Sequence, residues 1–401
     1  MNNELINLTD KFTRATRYAV QIRRQLHQMP ELGYQERDTC KLIAHELRNL
    51  NIPFQTGLAG GTGIAALIKG RSETCVALRA EMDALPVTET TGARWESRRP
   101  GMMHACGHDG HMSVVLGAAA VLQAIRQSLP GTVKLIFQPA EEGFNGAYEM
   151  RKDGVLDHPR VKAIFGLHGW PELPVGSVGS KAGVFLAAVD SVEIRVRGKG
   201  THAAYPHKGI DPILCAATLV KALSEAFAGL FGKSQTVVLT LGTFHAGTAS
   251  NIVPDIAHLT GTLRTFEETK RKNAMNLIHK TCKTVGDAHG CTISYKFVSG
   301  TPATINTPTV ADFFWKTTSA ELGSKKVKYL NHPFLWSEDF AWYLQKVPGC
   351  FFVLGTRPNG HRTYPMLHNS NYDFPDTALS IGIRTMSRLA IDALVRRPWL
   401  N

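Results

Sequence analysis

The chain has 401 residues, 43% of them hydrophobic and 19% charged, which excludes a disordered polymer and allows a sizeable core. At about 150 residues per domain, the length implies two or three domains. The 45 basic and 33 acidic residues leave a net charge of +12, a balance that raises nucleic acid or a membrane surface as partners. In chain order, Phe12, Ala15, Ala19, Ile22, Leu26 and Met29 recur at helical spacing up to Pro30, which predicts a first helix. Gly63 to Ile68, Thr74 to Leu78 and Thr132 to Phe137 read as strands, with a helix from Ser113 to Ser128 capped by Ser113. Alternating strands and helices imply an α/β layer architecture. From residue 187 the pattern changes. Ser191 to Arg197 alternates polar and apolar residues, as a half-exposed antiparallel strand does. A helix from about Pro212 to Leu230, strands at Thr236 to Leu241 and Ile256 to Arg264, a helix from about Glu267 to Asp287 and a strand at Thr292 to Phe297 follow. That order is ferredoxin-like. After Gly300 the α/β character resumes, with Cys350 to Leu354 as a buried strand. The expectation is one α/β domain, residues 1–186 and 301–401, interrupted by an α+β domain, residues 187–300.

The charge is diffuse. Arg14, Arg17, Arg23 and Arg24, then Arg98 with Arg99, Lys270 to Lys272, and Lys325 with Lys326 are the densest basic groups. None is a run of five and none is interleaved with aromatics, so no nucleic-acid platform is expected. The N-terminus Met1-Asn2-Asn3-Glu4-Leu5 lacks a secretory pattern, and the apolar stretch Val114 to Ile125 is too short to span a bilayer. Seven scattered cysteines argue against a disulfide scaffold. The reading is a cytoplasmic globular protein with no membrane partner.

Three of the sixteen histidines fall in Gly101-Met102-Met103-His104-Ala105-Cys106-Gly107-His108-Asp109-Gly110-His111, just before a predicted helix. A thiolate and imidazoles suit zinc and tolerate manganese, cobalt or nickel. Two apart in an extended segment, Cys106 and His108 are expected to point to one side. The other reading is a loop with incidental histidines. Glu141 and Glu142 follow an apolar strand, where one carboxylate can ligate a metal and its neighbour act as general base; alone, such a pair is more often an ordinary surface pair. His168 follows Val161 to Phe165, and His368 lies in Leu367-His368-Asn369. Either alone reads as a packed or surface histidine, but the set Cys106, His108, Glu142, His168 and His368 supplies five ligands, enough for two metals sharing a bridging ligand or water. In the inserted segment, His202, Asn251 and Arg264 offer imidazole, amide and guanidinium for an anion, and Arg264 suits a carboxylate. A structural turn with two surface polar residues is the alternative. Gly61-Thr62-Gly63-Ile64-Ala65-Ala66 fits a dinucleotide fingerprint, but a strand rather than a helix follows, so no such cofactor is expected. Trp170, Phe144 and Phe185 are either aromatic pocket walls or ordinary core and rim.

Taken together, the motifs resemble the di-metal amidohydrolases that include hippurate hydrolase and indole-acetyl-amino-acid hydrolases, relatives of aminoacylase and glutamate carboxypeptidase. The resemblance runs from Leu26-His27-Gln28-Met29-Pro30-Glu31-Leu32, through Leu78-Arg79-Ala80-Glu81-Met82-Asp83-Ala84-Leu85-Pro86, to Leu367-His368-Asn369. It implies a di-zinc-peptidase-like catalytic domain, a mixed sheet flanked by helices, with an inserted ferredoxin-like lid and dimerisation domain. It implies metal ligands Cys106, His108, Glu142, His168 and His368 for two divalent ions (Zn, Mn, Co or Ni), Glu141 as base and Asp83 as the orienter of a metal-bound imidazole. It also implies His202 as the group polarising the scissile carbonyl, in cis or across a dimer, with Asn251 and Arg264 on the substrate carboxylate. Where the wider family has His-x-Asp, this chain has Glu81-Met82-Asp83, so Cys106 belongs to an alternative ligand set. The implied activity is hydrolysis of N-acyl or N-aroyl amino acids by a homodimer or tetramer. An aminopeptidase or dipeptidase and a non-catalytic binding protein are the alternatives.

Overall fold

The helical repeat at the start of the chain becomes Thr9–Gln28, which buries Phe12, Ala15, Ala19, Ile22 and Leu26 at three- and four-residue steps. In the computed structural model, which describes residues 8–232 and 236–400, this helix packs on His108–Ala124, and Asp376–Arg396 packs on both. The chain divides into two units. One contains the chain up to Phe185, Thr304–His332 and Asp339 onward; the other is Leu186–Ala303 with Pro333–Glu338.

The first unit is built on an eight-stranded mixed sheet. Its order is Phe54–Leu58, Gly63–Ile68, Thr132–Gln138, Cys75–Glu81, Val161–Pro174, Gly349–Arg357, Val178–Ser180 and Val327–Tyr329. The four central strands are parallel, and Cys75–Glu81 and Thr132–Gln138 are buried at every position, the pattern of a sheet covered on both faces. Asp83 and the Glu141-Glu142 pair therefore lie just past the carboxyl ends of neighbouring parallel strands, where such folds place ligands.

Two local expectations change. The helix expected from Ser113 begins at His108, behind Gly107 at φ 84°. Ser113 is not its cap; its hydroxyl donates to the Asp109 carbonyl at 2.7 Å inside the helix. Glycine is required at 107 by the left-handed backbone and by Phe374 and Tyr372, whose side chains lie 3.1–3.4 Å from where a Cβ would stand. The strand holding His168 does not end at Phe165 but runs to Pro174, so His168 is within a strand and pairs with Val353.

In the second unit, Ala188–Arg197 turns Val192, Ile194 and Val196 inward and alternate residues outward. The sheet order is Val237–Ala246, Ile256–Thr265, Ala188–Arg197, Thr292–Ser299, all antiparallel. With helices Pro212–Phe231 and Glu268–His289 packed on each other and on the sheet, this is the ferredoxin-like arrangement. Asp211 caps the first of these helices by accepting from the amides of Ile213 and Leu214. That helix is long and apolar enough, by length and composition, to cross a membrane; here Cys215, Ala216, Leu219, Leu223 and Phe227 form its buried face. Segment 333–338 joins this unit through Ala187, whose amide donates to the carbonyls of Phe334 and Trp336 at 3.0 and 3.1 Å.

Candidate metal centre

Cys106 and His108 converge because the left-handed Gly107 turns the chain between them, not because they alternate on a straight segment. Cys106, His108 and His168 bring ligand atoms within 4.8 Å of one another; so do Cys106, Glu142 and His368, and so do His108, Glu141 and Glu142. These overlapping groups gather the five ligand candidates and Glu141 into one cluster of the first unit. Cys106 Sγ stands 3.3 Å from His168 Nε2, and Glu142 Oε1 stands 3.2 Å from His368 Nε2. His368 has φ 66°, and its amide donates to the Ala105 carbonyl at 2.8 Å, which ties the late residue to the cysteine loop.

The histidine tautomers follow from their partners. A carbonyl only accepts, so His108 Nδ1, 2.8 Å from the Asp83 carbonyl, and His168 Nδ1, 2.8 Å from the Gly169 carbonyl, carry the protons. Their Nε2 lone pairs face the cluster. His108 Nε2 is buried without a hydrogen-bond partner. His111 is the opposite case. The Gly169 amide donates to its Nε2 at 2.8 Å, so its proton is on Nδ1, 3.0 Å from Glu81 Oε2. Both nitrogens of His111 are occupied. Burial, and then the neighbouring His108, push His111 well below the usual imidazole range.

The cluster is short of positive charge. Burial opposes protonation of His108, yet Asp83, Glu81 and Glu142 outweigh it and push its pKa up to about 10. Burial, then Glu142 and Glu141, raise the Cys106 thiol well above its usual range. A divalent cation would reverse both tendencies, because it favours thiolate and neutral imidazole. The buried, unpartnered His108 Nε2 and the thiol–imidazole–carboxylate donor set fit such an ion. Asp83 serves two ligand candidates. Its carbonyl accepts from His108, and its Oδ2 accepts from the Glu142 amide at 2.8 Å. Burial would raise its carboxyl, but His108 and the amides of Glu142 and Glu141 hold it below the usual range.

The second unit keeps its candidates apart. His202 ends a two-residue strand paired with Ile252–Val253, and Asn251 is the turn residue just before that partner strand, with the Ala203 amide donating to the Asn251 carbonyl at 3.0 Å. The Ala204 amide donates to His202 Nδ1 at 3.0 Å, which leaves the proton on an exposed Nε2. Arg264 lies eight residues along the strand from Ile256, roughly 27 Å at the usual rise. Its Nη1 donates to the Leu335 carbonyl at 3.0 Å. One chain therefore does not bring Arg264 to His202 and Asn251. Of the aromatic candidates, Phe185 and Trp170 are buried, whereas Phe144 is exposed beside Tyr34, whose hydroxyl donates to the Phe144 carbonyl at 3.3 Å.

Sequence reasoning passed over the residues beneath the cluster. Glu36 accepts from the Ala140 amide at 2.8 Å and holds the left-handed residue before Glu141. His27 bridges Asp109 at 2.8 Å and Glu89 at 3.0 Å. Burial opposes its charge, but Asp109 and Glu89 prevail and push it up to about 9. Arg79 and Glu81, at alternate positions of an otherwise apolar strand, were a visible signal, since two charges on one buried face demand partners.

The family model of Peptidase family M20/M25/M40 matches residues 77–392. The chain belongs to this family. It is 37% identical to thermostable carboxypeptidase 2 of Saccharolobus solfataricus, over 93% of this chain and 95% of that protein. It is 34% identical to hippurate hydrolase of Campylobacter jejuni, over 98% of both. A crystal structure of a Bacillus subtilis protein described as a dinuclear metal binding peptidase from the M20 family superposes with a TM-score of 0.81 at 33% identity, over 96% of this chain and 99% of that one. This M20-family chain is thus an amidohydrolase that uses divalent metal ions and acts on a small molecule.

Proposed function

We propose that the protein hydrolyses the amide bond of N-acyl or N-aroyl amino acids, releasing a carboxylic acid and a free amino acid. The observation that carries the reading is the cluster itself: five donors of thiol, imidazole and carboxylate type with Glu141 beside them. Cys106, His108, Glu142, His168 and His368 would hold two divalent ions, with Asp83 orienting His108. When bound, the ions supply Lewis-acid polarisation and an acidified water. Glu141 takes the proton of the attacking water and delivers it to the leaving nitrogen. His202, with its proton on Nε2, donates to the oxyanion as it forms. Asn251 and Arg264 hold the substrate carboxylate.

The separation of Arg264 from His202 and Asn251 supports a homodimer in which each site takes His202 and Asn251 from the partner. So does the surface of the second unit. Among the described residues, Val237–Ala246 has a neighbour on one side only, and Ile213, Leu214 and Leu230 are exposed on Pro212–Phe231. An open strand edge and an apolar helix face are the usual materials of a two-fold interface. All seven cysteines are free thiols, in keeping with a cytoplasmic enzyme.

The test is a hydrolysis screen of N-acetyl, N-benzoyl and N-indoleacetyl amino acids beside free dipeptides, with metal analysis on the same sample. Chelator-sensitive release of amino acid from the acylated compounds is expected. Turnover of free dipeptides alone would replace the reading with a peptidase.

A further inference from the structure

His111 lies within 4.8 Å of both Glu81 and His108, a group that has the composition of a metal site. Its hydrogen bonds assign it otherwise. The Gly169 amide can only donate, so His111 Nε2 has no lone pair left for a cation. Its Nδ1–H is held by Glu81 Oε2, and Glu81 Oε1 is in turn paired with Arg79 Nη1. Arg79 donates through Nε to Gln138 at 2.7 Å and through Nη2 to Asp339 at 2.8 Å, and Asp339 accepts from the Ala147 amide at 2.9 Å. The side chains of Arg79, Glu81 and His111 are fully buried. The chain of bonds ends on the residue after His168, whose own Nδ1 donates to the carbonyl of that same Gly169.

We propose that Arg79, Glu81 and His111 are positioning residues. They lock the Nδ1–H tautomer of His111, whose Nε2 holds the Gly169 amide, and with the backbone of Gly169 fixed on that side its carbonyl, in the next peptide plane, aims the Nε2 of His168. The inference rests on His168 being a metal ligand. It makes Glu81 a fixing residue instead of a ligand, and His111 a histidine of the cluster that binds no ion.

The test uses the full-length protein loaded with Co(II). Metal stoichiometry, affinity by chelator competition, the visible absorption of the bound ion and the melting temperature are measured for wild type, His111→Ala, His111→Gln, Glu81→Ala and Glu81→Gln. The two alanine variants should bind the wild-type number of ions with one site weakened about 10–100-fold, and the cobalt bands should shift as the His168 ring is released. His111→Gln, whose amide can still donate to Glu81 and accept from Gly169, should fall less, whereas Glu81→Gln, which keeps the volume but offers one acceptor to the two donors Arg79 and His111, should behave like Glu81→Ala; both glutamine variants are expected to fold even if the alanine variants do not. Loss of one whole ion in His111→Ala would make it a ligand and overturn the proposal. So would unchanged affinity and spectrum in every variant, even with a lowered melting temperature. A wild type that binds no ion would overturn the ligand assignments first and this inference with them.

Discussion

The two sets of candidate residues are held in opposite ways. In the first unit, His108 and His168 are buried and each has one ring nitrogen fixed by a backbone carbonyl. In the second, His202, on a two-residue strand, and Asn251, in the turn before its partner strand, are exposed, and Arg264 is most of a strand length away. A cation site is precise when packing and hydrogen bonds hold its ligands in place. A group that meets the substrate late can wait in solvent until a partner surface completes it.

Several variants would break or sharpen this contrast. The largest effect is expected from Glu141→Gln, with kcat lower by about 10³–10⁴ and metal content unchanged. Retained turnover would remove Glu141 from the base role. His202→Ala should lower kcat by about 10²–10³ with the melting temperature and metal content intact, because its side chain is exposed. Co-expressing these two inactive variants sharpens the point. If His202 acts across a dimer, each mixed dimer has one complete site, and about a quarter of wild-type activity returns. If it acts in cis, both sites of every dimer stay broken and none returns. A smaller effect concerns stability. His27 is raised to about 9 in the folded protein, so its contribution is fully present below its unfolded value near 6.5 and is lost as pH rises through 9. Wild type should therefore lose about 1–3 kcal/mol between pH 6 and pH 9.5 that His27→Gln does not lose, as read by denaturant unfolding. Smallest, Phe144→Ala should leave N-acetyl substrates within about twofold and lower kcat/KM for N-benzoyl ones by about fivefold. Equal losses on both would make Phe144 ordinary rim.

The sequence made the fold legible where periodicity was clean. Ser191 to Arg197 alternates because one face of its sheet is buried, and the helix beginning at Thr9 carries an uninterrupted stripe. The ligand candidates were legible only in combination: a thiol, several imidazoles and paired acids are each ordinary alone but seldom meet by chance at the strand ends of one domain. What stayed hidden depended on distant residues. The segment from His108 to His111 reads as loop because two of its residues are glycine or aspartate; it is helix because its surroundings, including Phe374 stacked where a side chain at Gly110 would be, supply the packing. The apolar run ends at Phe165, yet the strand continues through His168 and past Pro171, within a bulged stretch of the pairing. No local pattern distinguishes His111 from His108; only Gly169, fifty-eight residues on, does.

The interruption of the first unit also sets a timetable for its synthesis. Cys106, His108, Glu142 and His168 leave the ribosome before the inserted unit, and His368 leaves two hundred residues after His168, a delay of about 10–40 s at ordinary elongation rates. The partner strand Gly349–Arg357, which must lie between Val161–Pro174 and Val178–Ser180, comes equally late. Through that interval the nascent chain has an open strand edge beside an incomplete cage of thiol and imidazole. Such an edge can recruit other chains, and the thiol and imidazole groups can meet an ion before His368 exists. The sheet of the inserted unit, whose four strands lie in one stretch of chain, has time to form first, and the first unit receives its final central strand and His368 only when translation is nearly finished.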